Sequence, residues 1–141
     1  MSDVSHLRQE IGEMITAENS VMRQYGEDMM WNGIAKKEKV YNKDSVRTGK
    51  DSSAIIRLHD NSLIDVAENS LIVLDKSPNS LNITFKAGDI AARNSSDKLQ
   101  IQFKDNIVKA MGSDLKVKMT SDSKTDVSVI KGKAIIQDKN K

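Results

Sequence analysis

Apolar triplets of the form aliphatic-x-aliphatic recur eight residues apart through the middle of the chain: Ile56-Arg57-Leu58, Ile64-Asp65-Val66 and Ile72-Val73-Leu74. The second and third copies agree almost letter for letter, Asp60-Asn61-Ser62-Leu63-Ile64-Asp65-Val66 against Glu68-Asn69-Ser70-Leu71-Ile72-Val73-Leu74. A strand of about five residues and a tight polar turn together fill about eight positions. The unit therefore reads as a strand and its corner, stacked three times in the manner of a solenoid. The stack predicts that Ile56, Ile64 and Ile72 line one inward column and that Leu58, Val66 and Leu74 line the next.

Alternation continues on both sides of the repeat. Upstream, Ile11 to Thr16 and Ser20 to Tyr25 read as two strands around a short loop, a β-hairpin lead-in. Downstream, Leu81/Ile83/Phe85, Leu99/Ile101/Phe103, Leu115/Val117/Met119, Val127/Val129 and Ala134/Ile136 each mark a strand. Between them lie turn signals such as Ala87-Gly88-Asp89, Met111-Gly112-Ser113-Asp114 and Lys131-Gly132-Lys133. Asn-Ser dipeptides recur at 19–20, 61–62, 69–70, 79–80 and 94–95. Asparagine tolerates left-handed backbone, and both side chains hydrogen-bond nearby amides, so these read as corner chemistry. The predicted fold is all-β, with stacked short strands in a solenoid-like or twisted β-sandwich arrangement. Residues 1–10 read as an N-terminal extension, a short helical turn or disorder, 11–137 as a single β domain and 138–141 as a polar tail.

Composition narrows the function classes. Of 141 residues, 38% are apolar and only 4% aromatic, so Ile, Leu, Val and Met must fill the interior. With 22 basic and 20 acidic residues the chain is near charge balance and lacks the concentrated basic stripe that nucleic acid requires. The absence of cysteine excludes disulfides, thiolate metal sites and a cysteine nucleophile. No apolar run reaches the roughly 18 residues of a membrane span, so no direct membrane insertion is expected. The chain reads either as cytoplasmic or as a soluble domain excised from an exported or anchored protein.

From Val46 to Ile136 the chain resembles a FecR-type domain, a bacterial module. The resemblance is carried by Arg47-Thr48-Gly49, Ala54-Ile55-Ile56-Arg57-Leu58, Asp60-Asn61-Ser62, Ile64-Asp65-Val66, Asn69-Ser70, Ile72-Val73-Leu74 and Ala87-Gly88-Asp89-Ile90. It closes with Ala110 to Val117 and with Val127 to Ile136, in the family's order. Asn61 and Ser113 replace the commoner glycine and threonine of those corners. The resemblance implies a periplasmic or otherwise extracytoplasmic signalling or adaptor module, usually tethered to another module, with no catalytic signature to carry over.

The residues themselves point away from enzymatic chemistry. His6 and His59 are far apart in sequence and lack a third ligand, no G-x-S-x-G elbow occurs, and no glycine run cradles phosphate. The expectation is no turnover, no cofactor and no stoichiometric metal. By alternation Ile55, Leu63 and Leu71 point away from the inward face, so these residues and the sheet edges form the candidate interaction surface. The expected partner is another envelope protein or a second copy of the chain. The alternative is a carbohydrate- or peptidoglycan-binding module, which needs exposed aromatics. Trp31, the one tryptophan, reads as a cap on the core, with a binding role as the alternative.

Overall fold

The computed structural model describes residues 8–26, 28–104, 106–119 and 124–138. Its elements are all strands: β1 (Glu10–Glu18), β2 (Val21–Gln24), β3 (Asn32–Gly33), β4 (Lys39–Tyr41), β5 (Ser45–Thr48), β6 (Ser53–Leu58) and β7 (Leu63–Val66). There follow β8 (Leu71–Lys76), β9 (Leu81–Ala87), β10 (Asp89–Arg93), β11 (Leu99–Phe103), β12 (Asn106–Met119) and β13 (Thr125–Asp138). All-β is the observed class.

These strands form one open, strongly curled sheet. It runs β3-β2-β5-β8-β9-β11-β12-β10-β7-β6-β1-β4, with β13 added to β12. β12 joins the two wings: Asn106 to Lys109 pair with β11, whereas Leu115 to Lys118 pair with β10. The chain crosses repeatedly between the wings, and apolar residues from both meet in a single core. All pairings are antiparallel except β9 with β11.

The repeat is buried as its pattern predicts, but it does not stack. Ile56, Leu58, Ile64, Val66, Ile72 and Leu74 all lie in the core. Ile56 and Ile64 are direct cross-strand partners in the antiparallel β6–β7 pair. Ile72 lies in the other wing, between Val46 of β5 and Phe85 of β9. The third copy therefore faces the first two across the core instead of extending their column. Alternation specifies an inward face, and either wing satisfies it.

Two further expectations are corrected. β1 and β2 are not a hairpin: β1 pairs with β4 and β6, and β2 with β3 and β5. Between them Asn19 takes a left-handed φ of 64°. Ser20 then bonds across to Ser52 and Gly49, which carries the chain from one wing to the other. The stretches around Gly112 and Gly132 are not turns between short strands. They are bulges inside β12 and β13, where the pairing register shifts between Met111 and Asp114. Both glycines have positive φ, 66° and 84°. A left-handed glycine serves a bulge as readily as a turn.

At the other end of the chain, the expected extension gives way to strand at Glu10, and β13 reaches Asp138. Residues 1–7, including His6 and most of the anticipated helical turn, and tail residues 139–141 lie outside the described residues.

Candidate interaction site

The three outward aliphatics are separated by the curl of the sheet. Ile55 stands opposite Asp65, and Leu63 opposite Arg57 and Arg93, so both lie on the outer face of the β6 wing. Leu71 lies on the other wing, opposite Arg47 and Ala87. All three are half-buried. No single surface contains Leu63 and Leu71 together.

Sheet edges differ sharply in length. The path ends at β3, two residues long, and at β4, three residues long. Short edges offer little template for another strand. β13 is fourteen residues long and, among the described residues, pairs only with β12. Val129, Ile130, Ile135 and Ile136, all on β13, are 44–60% exposed, and Met111 on β12 is exposed beside them. Val127, Val129, Ala134 and Ile136 stand opposite Val117, Leu115, Ala110 and Val108. The latter four are fully buried. The core-facing layer thus continues onto β13 and stops there half covered. On the other face Lys133 stands opposite Met111, Ile135 opposite Lys109, and Ser128 opposite Lys116.

Alternation marks Val127/Val129 and Ala134/Ile136 as strands without distinguishing an edge strand from an interior one. A usable signal was present in the doublets Val129-Ile130 and Ile135-Ile136. On a strand, neighbouring residues point to opposite faces, so a doublet puts an aliphatic on each.

Among the clefts that the described residues form are two of about 280 Å³ each. One has an apolar floor of Ile11, Leu58 and Leu81 and a rim including His59, Lys76 and Lys98. His59 is exposed and sits 3.5 Å from the Glu10 carboxylate. Nearby, burial pushes the Asp60 carboxyl up, but hydrogen bonds from Ser96 and Ser62 outweigh it and hold the group below its ordinary value. The other cleft is polar and is lined by Arg8, Tyr25, Asn42 and Asp44.

Behind that polar cleft, buried Arg23 donates to the Lys39 carbonyl at 2.6 Å and lies 3.9 Å from Asp44 Oδ2. The same Asp44 oxygen accepts the Tyr41 amide at 2.8 Å. Asp44 Oδ1 and Arg23 Nε are buried with no hydrogen-bond partner among the described residues. Burial pushes the Asp44 carboxyl up to about 6, against the Tyr41 hydrogen bond and the charges of Arg23 and Arg8. This pair ties β2 to the approach to β5 and brings no nucleophile with it. Among the described residues no group of three or more His, Asp or Glu side chains converges to hold a metal.

The aromatic side chains form no flat exposed platform: Tyr41 is half-buried and tilted against Tyr25, with ring centroids 6.2 Å apart. Phe85 and Phe103 are buried. Tyr25 carries the guanidinium groups of Arg8 and Arg23, 3.6 and 4.3 Å from its ring centroid. Trp31 is half-buried, with the Arg47 guanidinium 4.3 Å from its centroid.

No curated protein and no solved structure matches the chain. The family model described as FecR protein matches residues 44–134, from just before β5 into β13. That span holds the repeat, four of the five Asn-Ser corners and β12 with most of β13, and it is well over half of the sequence: the chain belongs to the FecR family.

Proposed function

We propose that this chain is a non-enzymatic docking module, the extracytoplasmic part of a membrane-linked signalling protein, that works by protein–protein contact. Family membership supports the regulatory, membrane-linked setting. The observation that carries the docking role is β13, a fourteen-residue edge strand with exposed aliphatics on both faces. An apolar, unpaired edge of this length is an aggregation hazard unless something covers it. The carbohydrate-binding alternative gains no support, because the aromatic rings it needs are buried, stacked under arginines or, for Tyr41, half-buried against Tyr25.

Site-specific photo-cross-linking in the bacterial envelope tests this reading. A photoreactive side chain at Ile130 should give a discrete adduct, whereas one at exposed Arg57 on the β6 wing should not. Equal labelling from both positions, or none from either, would reject docking through β13.

A further inference from the structure

We infer that β13 accepts an extended segment of a partner protein as an added strand, and that this segment alternates aliphatic and acidic side chains. The inference rests on the docking reading above and specifies the partner's chemistry. Strand addition draws affinity from main-chain hydrogen bonds and specificity from alternate side chains. β13 supplies the first through the edge that does not pair with β12.

Its two faces supply the second. On the core-facing side, Val129 and Ile136 are 45% and 58% exposed although their cross-strand partners Leu115 and Val108 are buried. Aliphatic side chains on an adjacent strand would extend that apolar layer and shield it from the side. The described residues of the hairpin also carry Lys109, Lys116, Lys118, Lys124, Lys131 and Lys133, against Asp114, Asp126 and Asp138. Asp114 accepts the Asn94 amide at 2.8 Å and stands opposite Lys131, and Asp126 stands opposite Lys118, so Lys109, Lys116 and Lys133 are left without an acidic residue opposite them on the hairpin. The surplus is positive, so the polar positions of the incoming strand should be acidic.

A second copy fits this edge poorly in the registers that centre on its lysines. Centring a two-fold antiparallel pairing on Gly132 sets Lys131 against Lys133, and Asp126 against Asp138, of the second copy. Centring it on Lys131 or Lys133 sets that lysine against itself. Like charges directly opposite each other destabilise a sheet. In the remaining registers a second copy would still add the lysine surplus of its own hairpin to this edge, so an acidic strand from another protein fits it better.

The test uses the full chain, isotopically labelled, and short capped peptides that alternate valine with glutamate or valine with lysine, plus a block-ordered control of the glutamate composition. The glutamate peptide should bind and slow exchange at every second β13 amide, because alternate N–H groups point to the free edge. Its affinity should exceed that of the lysine peptide at least tenfold at low salt. Lys131→Glu combined with Lys133→Glu should reverse the preference; both lysines are exposed, and a retained amide spectrum of the variant shows that the fold survives the loss of the Lys131–Asp114 pairing. Ile136→Ser should weaken binding of either peptide.

Several results would overturn the inference: protection confined to β3 or β4, equal binding of the block-ordered control, or β13 protection that grows with protein concentration in the absence of peptide. The last would identify a second copy as the occupant. Anionic lipid vesicles protecting the hairpin where no peptide does would identify a membrane surface instead. If no peptide binds but Ile130 still cross-links, the alternating chemistry is wrong and docking stands. If both experiments fail, the docking reading falls with it.

Discussion

Asn61 and Asn69 hold the same left-handed backbone, with φ of 69° and 55°. Each precedes a fully buried serine, Ser62 and Ser70, whose hydroxyls bond to backbone on neighbouring corners. The two Asn-Ser corners therefore do the same work although the strands that follow them lie in opposite wings. Asparagine reaches this conformation at small cost and glycine at none, whereas a β-branched residue is strained there. Asn61→Gly and Asn69→Gly should melt within a degree or two of the parent. Asn61→Val and Asn69→Val should each cost about 1–2 kcal/mol, read as a lower urea midpoint with an unchanged slope.

Gly88 packs against Ser70 so closely that a Cβ there would lie 2.5 Å from the Ser70 Cα. Its φ of 94° is itself barred to side chains. Ser70 Oγ meanwhile accepts the Asp89 amide at 2.9 Å, and the Met119 amide donates to the Gly88 carbonyl at 2.8 Å. Gly88→Ala must push the corners apart and break these bonds. A loss of more than about 3 kcal/mol is expected, against little change for Gly33→Ala, where a Cβ meets nothing within 4 Å. Equal melting temperatures for the two variants would show that the corner contact is dispensable.

Leu63 and Ile64 are neighbours on β7 with opposite fates. Ile64 is fully buried against Ile56, whereas Leu63 faces outward beside Arg57 and Arg93. Ile64→Asp buries an unpaired charge and should unfold the domain or leave it barely stable. Leu63→Lys can lay its stem along the sheet and keep its ammonium in water. It should cost about 1 kcal/mol or less, most of it from the two arginines opposite. Leu71→Lys, beside Arg47 on the other wing, should behave the same way. Because Leu63 and Leu71 share no surface, neither substitution should impair docking at β13.

Burial was legible in the sequence wherever one residue's face was the question. The outer two residues of every I-x-L triplet lie in the core, and four of the five Asn-Ser asparagines, Asn19, Asn61, Asn69 and Asn94, have positive φ. Pairing was not legible, because Ile64 and Ile72 carry the same pattern yet belong to opposite wings. Strand length failed at Gly112 and Gly132, since left-handed glycine marks bulges and turns alike. The candidate surface was half legible. A sheet edge was anticipated, but the outward row of Leu63 and Leu71 was drawn from a stack that does not exist. The Arg23–Asp44 pair was legible only in part: alternation puts Arg23 on the same face as buried Val21, but its partner lies on a distant turn.

That pair should also impose a pH dependence on stability. Asp44 has an ordinary pKa of 3.8, which burial raises to about 6 in the folded domain. The native state then holds this proton more tightly than the unfolded chain does. The stabilisation is complete below about pH 4 and is lost as pH rises through about 6. A shift of about two units corresponds to a loss on the order of 3 kcal/mol. Asp60, held below its ordinary value, works in the opposite sense: its contribution is present above about pH 4 and fades as pH falls further. The parent's own profile mixes the two, so the informative quantity is its difference from Asp44→Asn. Asparagine keeps the acceptor for the Tyr41 amide but cannot ionise. Urea unfolding at pH 4.5 and 7.5 should show the parent losing stability relative to Asp44→Asn as pH rises. If the parent gains on the variant instead, attraction to Arg23 outweighs burial, and Asp44 is ionised throughout that range.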